Sequence, residues 1–191
     1  MAVWKGVVAR AFDSTGFEQY AQGISLTDWR PRFLVLHNTA IPTFANWHNV
    51  SGQRRMNAFV RYYRDEQGWS AGPHLFVADD FIWVFTPLTT PGVHSPSWNW
   101  ISWGVEVVGE YNTEQLAGAV LDNAISALAT LHEIGGLNPA TLRLHKEDPL
   151  TTHTDCPGSG IDKQSIIDRV SSTLAARVGG EHLPSRLASN V

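Results

Sequence analysis

Short apolar runs separated by stretches of helical spacing set the pattern of this chain. Phe17-Glu-Gln-Tyr-Ala-Gln22 reads as a short helix closed by Gly23. Phe33-Leu-Val-Leu36 is a continuous apolar run of strand length, as expected of a strand buried on both faces at the centre of a sheet. His37 stands at its C-terminal end, where α/β folds place ligands and catalytic groups. From Ser51 to Glu66 the period turns helical: Met56, Phe59, Val60 and Tyr63 fall on one face, and Gly68 ends the run. His74–Asp79 and Phe81–Phe85 are apolar strands around Asp79-Asp80, a hairpin signal. A loop rich in Thr, Pro and Trp follows from Thr86 to Ile101, and then a strand, Ser102–Val108, carrying one charge, Glu106.

Asn112 with Gln115 has the form of a capping box for a helix that buries Val120, Leu121, Ala124, Ile125, Leu128 and Leu131 and stops at Gly135-Gly136. Thr141–Leu144 reads as a short strand delivering His145, and a last helix runs from about Asp162 to Val178. Residues 180–191 read as a frayed tail and residues 1–30 as an N-terminal extension. Strands interleaved with three main helices predict one mixed α/β domain over residues 1–191.

Composition narrows the function. At 191 residues, 43% hydrophobic and 17% charged, the chain can build a full core. A net charge of −4 without any Lys/Arg run argues against a nucleic-acid partner. One cysteine excludes an intrachain disulfide framework, and no apolar run is of membrane-spanning length. The N-terminus lacks a secretory signal, so the expected location is the cytoplasm, with any release to the cell wall left to a holin or to lysis. The chain is expected to act as a monomer.

The stretch Leu142–Gly158 holds that cysteine, Cys156, with His145 and His153 upstream, and Pro149, Pro157 and Gly158 keep it out of regular helix. Two strand ends thus deliver His37 and His145, and a loop delivers Cys156. A thiolate and two neutral imidazoles form the outline of a zinc site with the fourth position open, the pattern of catalytic rather than structural zinc. Asp155 is the alternative third ligand. Glu106, in an apolar strand, needs a reason to be buried, and water at such a metal supplies one. Cys156 also admits two other readings: a small buried hydrophobe, or the nucleophile of a thiol peptidase, which Pro157-Gly158 directly after it fits poorly.

Four blocks, Val35-Leu-His-Asn-Thr39, Gly72-Pro-His-Leu-Phe-Val77, Ser102-Trp-Gly-Val-Glu106 and Thr154-Asp-Cys-Pro-Gly158, resemble the zinc-dependent N-acetylmuramoyl-L-alanine amidases. That superfamily includes peptidoglycan recognition proteins, phage lysozyme-type endolysins and anhydromuropeptide amidases. The resemblance spans about residues 32–168. It implies a central mixed sheet flanked by helices, a Zn2+ site in an open groove, and cleavage of the amide between the lactyl group of N-acetylmuramic acid and L-alanine. On this resemblance His37, His145 and Cys156 are the metal ligands, and Thr154 stabilises the transition state. Glu106 is the general base, and His94 contacts peptidoglycan or muropeptide substrate. His74 could face groove or core and is carried as a second substrate contact. His48, His132 and His182 read as surface or packing residues, and His153 as exposed.

Two departures stand out. Pro73 occupies the place where endolysin-like members carry a tyrosine, which puts the proton-transfer burden on Glu106. The gap from His145 to Cys156 is long, so Asp148–Thr152 align poorly. The competing reading is a non-catalytic peptidoglycan-binding module, against which the retained Cys156 speaks.

Overall fold

The computed structural model describes residues 3–180. Six strands form one sheet in the order β1-β4-β3-β5-β2-β6. They are β1 (Arg10–Phe12), β2 (Phe33–Asn38), β3 (Leu75–Val77), β4 (Ile82–Val84), β5 (Ser102–Val107) and β6 (Arg143–Leu144). β3, β5, β2 and β6 run parallel; at one edge β4 pairs antiparallel with β3, and β1 pairs antiparallel with β4. The helices are α1 (Ser14–Gln22), α2 (Phe44–Trp47), α3 (Gly52–Val60), α4 (Gly118–Gly135) and α5 (Lys163–Gly180). This is the mixed sheet with flanking helices that the sequence predicts.

Strand alternation sorts side chains onto two faces. Leu34 and Leu36 of β2, Leu75 and Val77 of β3, Ile82 and Val84 of β4, and Trp103, Val105 and Val107 of β5 enter the larger core with α4. The intervening residues Phe76, Trp83, Phe85 and Val108 form a smaller cluster with Trp47, Met56 and Tyr63. His37 and Glu106 lie on that second side, and β2 and β5 set them opposite one another in register. Phe76 of β3 pairs with Glu106 from the other flank.

Four boundaries differ from expectation. The predicted N-terminal extension is built into the domain: β1 pairs with β4, and Phe17 and Ala21 of α1 are fully buried in the main core. The helix expected over 51–66 is α3 followed by a π-helical turn, Arg61–Glu66. The Asn112/Gln115 capping box does not open α4, which starts at Gly118. Asn112 is committed elsewhere: its Oδ1 accepts from Ser159 N at 2.8 Å and its Nδ2 donates to Glu110 Oε1 at 2.9 Å. Finally, the expected strand 141–144 is shortened to β6: Thr141 ends a 3-10 turn, Pro139–Thr141, and Leu142 caps it. The tail residues 181–191, with His182, lie outside the described residues. No helix among the described residues is long and apolar enough to cross a membrane.

Candidate active site

β2 carries His37 to its end, and β6 ends one residue before His145, which opens a 3-10 turn. Adjacent parallel strands therefore bring two imidazoles together, with ring centroids 4.3 Å apart. The third member comes from the loop. Cys156 is pinned beside the turn, its carbonyl accepting from Lys146 N at 2.8 Å. Gly158, at φ +113°, lies against the Tyr111 backbone, where a Cβ would come within 2.5 Å. A side chain there would push the loop off, so Pro157-Gly158 fixes where Cys156 sits. Donor atoms of His37, His145 and Cys156 all lie within 4.8 Å of one another. Asp155, the alternative ligand, lines the groove but lies outside this cluster.

The chemistry of this donor set suits zinc. Burial and the neighbouring histidines hold His37 well below the ordinary imidazole pKa, and burial with His153 lowers His145 to about 4. Both rings are neutral at pH 7 with lone pairs free for a metal. Burial, then the Glu106 carboxylate, pushes the Cys156 thiol well above its usual range in the metal-free protein. A divalent cation reverses that preference, because a coordinating thiol gives up its proton.

Glu106 borders the cluster. Its Oε1 is 3.9 Å from His37 Nδ1, and its Oε2 is buried without a hydrogen-bond partner. Desolvation raises its pKa to about 8. An orphaned carboxyl oxygen beside a ligand cluster is the polar group that bound water would satisfy.

These residues lie along a groove of about 900 Å³, lined also by Thr154, Pro73, His153 and Tyr63. A smaller annex of about 350 Å³ adjoins it past His94, Leu150 and Thr151. Thr154 and His153 are exposed on the rim. His94 borders both cavities, but its ring nitrogens face protein partners: Nδ1 is 3.1 Å from His37 Nε2, and Nε2 is 3.4 Å from Ser102 O.

His74 does not belong to the groove, which corrects its assignment as a substrate contact. It is 0% exposed. Its Nδ1 accepts from Gly104 N and its Nε2 donates to Thr90 O, each at 3.0 Å. Both nitrogens are spent tying β3 to β5 and to the loop, and the ring stacks on Trp29. The bulk of a neutral histidine with both partners supplied makes it a core residue.

The sequence missed two participants. Tyr63 follows the apolar helical period, yet the π-helical turn sets it in the groove wall, stacked on Trp69 at 5.4 Å. Burial and the charge of Glu106 raise its phenol pKa well above the ordinary value. Thr151, in the poorly aligned gap, places its hydroxyl 2.9 Å from His145 Nε2. The Tyr62-Tyr63 doublet at the helix end was the available signal for the first, and nothing in the spacing marked the second.

Comparison with known proteins gives the same direction. A family model described as N-acetylmuramoyl-L-alanine amidase matches residues 27–159. A human N-acetylmuramoyl-L-alanine amidase is 27% identical over 131 residues, covering 68% of this chain but only 23% of that protein. The chain thus spans about a quarter of that relative's length. Among solved structures, the endolysin N-acetylmuramoyl-L-alanine amidase LysCS from Clostridium intestinale superposes with a TM-score of 0.60 at 22% identity, covering 75% of this chain and 85% of that one. A point mutant of Drosophila PGRP-LB in complex with tracheal cytotoxin superposes at 0.61 with 21% identity, covering 83% of each chain. At such identities the structures establish a shared fold. With the match over residues 27–159 it follows that this chain belongs to the N-acetylmuramoyl-L-alanine amidase family.

Proposed function

We propose that this chain is a zinc-dependent hydrolase that cleaves the amide between the lactyl group of N-acetylmuramic acid and L-alanine, in peptidoglycan or in muropeptides derived from it. The observation that carries the reading is the convergence of His37, His145 and Cys156 within 4.8 Å beside Glu106. A binding module needs the groove but has no use for a thiol and two lone pairs aimed at one point. Family membership and the endolysin and tracheal-cytotoxin-bound neighbours support the substrate class.

Zinc, when bound by His37, His145 and Cys156, supplies Lewis acidity that polarises the scissile carbonyl and acidifies water. The remaining tasks fall to the chain. Glu106 takes the proton of the attacking water: burial raises its pKa and the charge of a bound cation draws it back down, which leaves a carboxylate able to accept. It then returns that proton to the leaving nitrogen of L-alanine. Thr154, on the rim, offers its hydroxyl to the oxygen that gains charge as the carbonyl becomes tetrahedral. The groove walls, Tyr63 and Trp69 among them, hold the substrate and keep bulk water from the reacting bond.

Metal analysis and product analysis together test this. About one zinc per chain is expected from a three-ligand site. Digested cell walls should gain free α-amino groups of L-alanine without new reducing sugar ends, and chelation should abolish that gain while circular dichroism stays unchanged. Full activity in metal-free protein, or reducing ends among the products, overturns the reading.

A further inference from the structure

His94 is the buried partner of His37. It reaches across β5 because residue 104 is glycine: a Cβ there would lie 2.4 Å from the His94 ring. From below, the His74 ring packs against it edge-on at 5.7 Å. The loop holds it from above, Asn99 Oδ1 accepting from His94 N at 2.7 Å and from Ser95 N at 2.8 Å. So its orientation is set on three sides.

The proton positions follow from its partners. Ser102 O is a carbonyl and can only accept, so the His94 nitrogen facing it, Nε2, carries the hydrogen. A neutral His94 then has a bare Nδ1, and this faces His37 Nε2 at 3.1 Å. The hydrogen between the two rings must therefore belong to His37. That leaves the lone pair of His37 on Nδ1, the atom 3.9 Å from both Cys156 Sγ and Glu106 Oε1. Remove the acceptor at position 94 and nothing holds the hydrogen on His37 Nε2. The tautomer with the hydrogen on Nδ1, which blocks coordination, then competes.

We infer that His94 is a positioning residue whose relay, Ser102 C=O to His94 to His37, fixes the His37 tautomer so that Nδ1 is ready for the metal. This rests on the zinc reading given above for the identity of the cation, but the tautomer itself belongs to the metal-free protein. His94 serves through His37, instead of spending its nitrogens on substrate.

Long-range nitrogen–proton correlation spectra of the imidazole rings in metal-free wild-type protein test the relay directly. The expected result is both His37 and His94 protonated at Nε2; a His37 protonated at Nδ1 overturns the inference. Zinc affinity by competition with a chromogenic chelator gives the second readout. His94→Phe keeps a ring and loses the acceptor, and should weaken zinc binding by about 10- to 100-fold. His94→Asn puts an amide oxygen where Nδ1 stood and should recover most of that loss. Wild-type affinity in His94→Phe counts against the relay, as does equal weakening in both variants. Should wild-type protein bind no zinc at all, the zinc reading fails, while the imidazole spectra still decide the relay.

Discussion

The two faces of the sheet are built from alternate residues of the same strands, and they obey different rules. On the α4 side, Leu36, Val105 and Val77 enter a continuous apolar core. One residue along, His37, Glu106 and Phe76 form a row on the other side in which an imidazole and a carboxyl are buried with few partners. The first face gains stability from each side chain it buries. The second gives some of it up to bury polar groups with few partners. The difference teaches that stability and chemistry here are separable by residue parity, which mutation can test.

The largest effect should come from Cys156→Ser on the groove side. A hydroxyl does not readily deprotonate to ligate zinc, so zinc content and amidase rate should both collapse while the melting temperature of the metal-free protein hardly moves. Retention of zinc at wild-type affinity would assign the third ligand to Asp155 or His153 instead. Leu128→Ala, fully buried on α4, should do the converse. It should cost about 2–5 kcal/mol in denaturant unfolding, with zinc bound per folded chain unchanged; a matching loss of zinc affinity would show that the faces are coupled.

Glu106→Gln is next, with a rate lowered by ~10²-fold or more and zinc retained. Stability should respond with the opposite sign to a core mutation. The folded carboxyl, with its pKa raised from 4.5 to about 8, keeps its proton where the unfolded chain has released it. The metal-free wild type therefore loses stability as pH rises through that window, and glutamine does not titrate. Unfolding curves should show the variant gaining on wild type from about pH 4.5 to about 8, then running parallel. A pH-independent difference would mean the carboxyl is better solvated than its burial indicates. The smallest effect is expected on the surface, where His48 pairs with Asp79 at 2.8 Å with 57% of its side chain exposed. His48→Ala should change stability by less than ~1 kcal/mol and leave the rate alone.

How much of this was legible follows the same division. β2, β5 and the β3–β4 hairpin were readable because apolar runs bounded by turn residues report burial directly. His37, His145 and Cys156 were readable as a set because their residue types and strand-end positions agree, and the structure brings them together. His74 was misread because period-two alternation tells which face a residue takes, not whether loop atoms cover that face. Thr90 O and Gly104 N do so from distant segments. The false capping box at Asn112 failed for a related reason, since its amide is held by Ser159, far along the chain, and by Glu110. Tyr63 reached the groove through a π-helical turn, which no helical period anticipates.

The pairing of His37 with Glu106 across β2 and β5 has one more consequence. Sliding one strand by a single residue would carry every side chain to the opposite face, putting Leu36 beside the groove and His37 into the apolar core. The alignment that sets His37 opposite Glu106 is therefore the one that buries the leucines and valines. A molecule with its strands mispaired would lose both at once. Among chains that have folded, assembly of the polar row is guaranteed by the packing behind it.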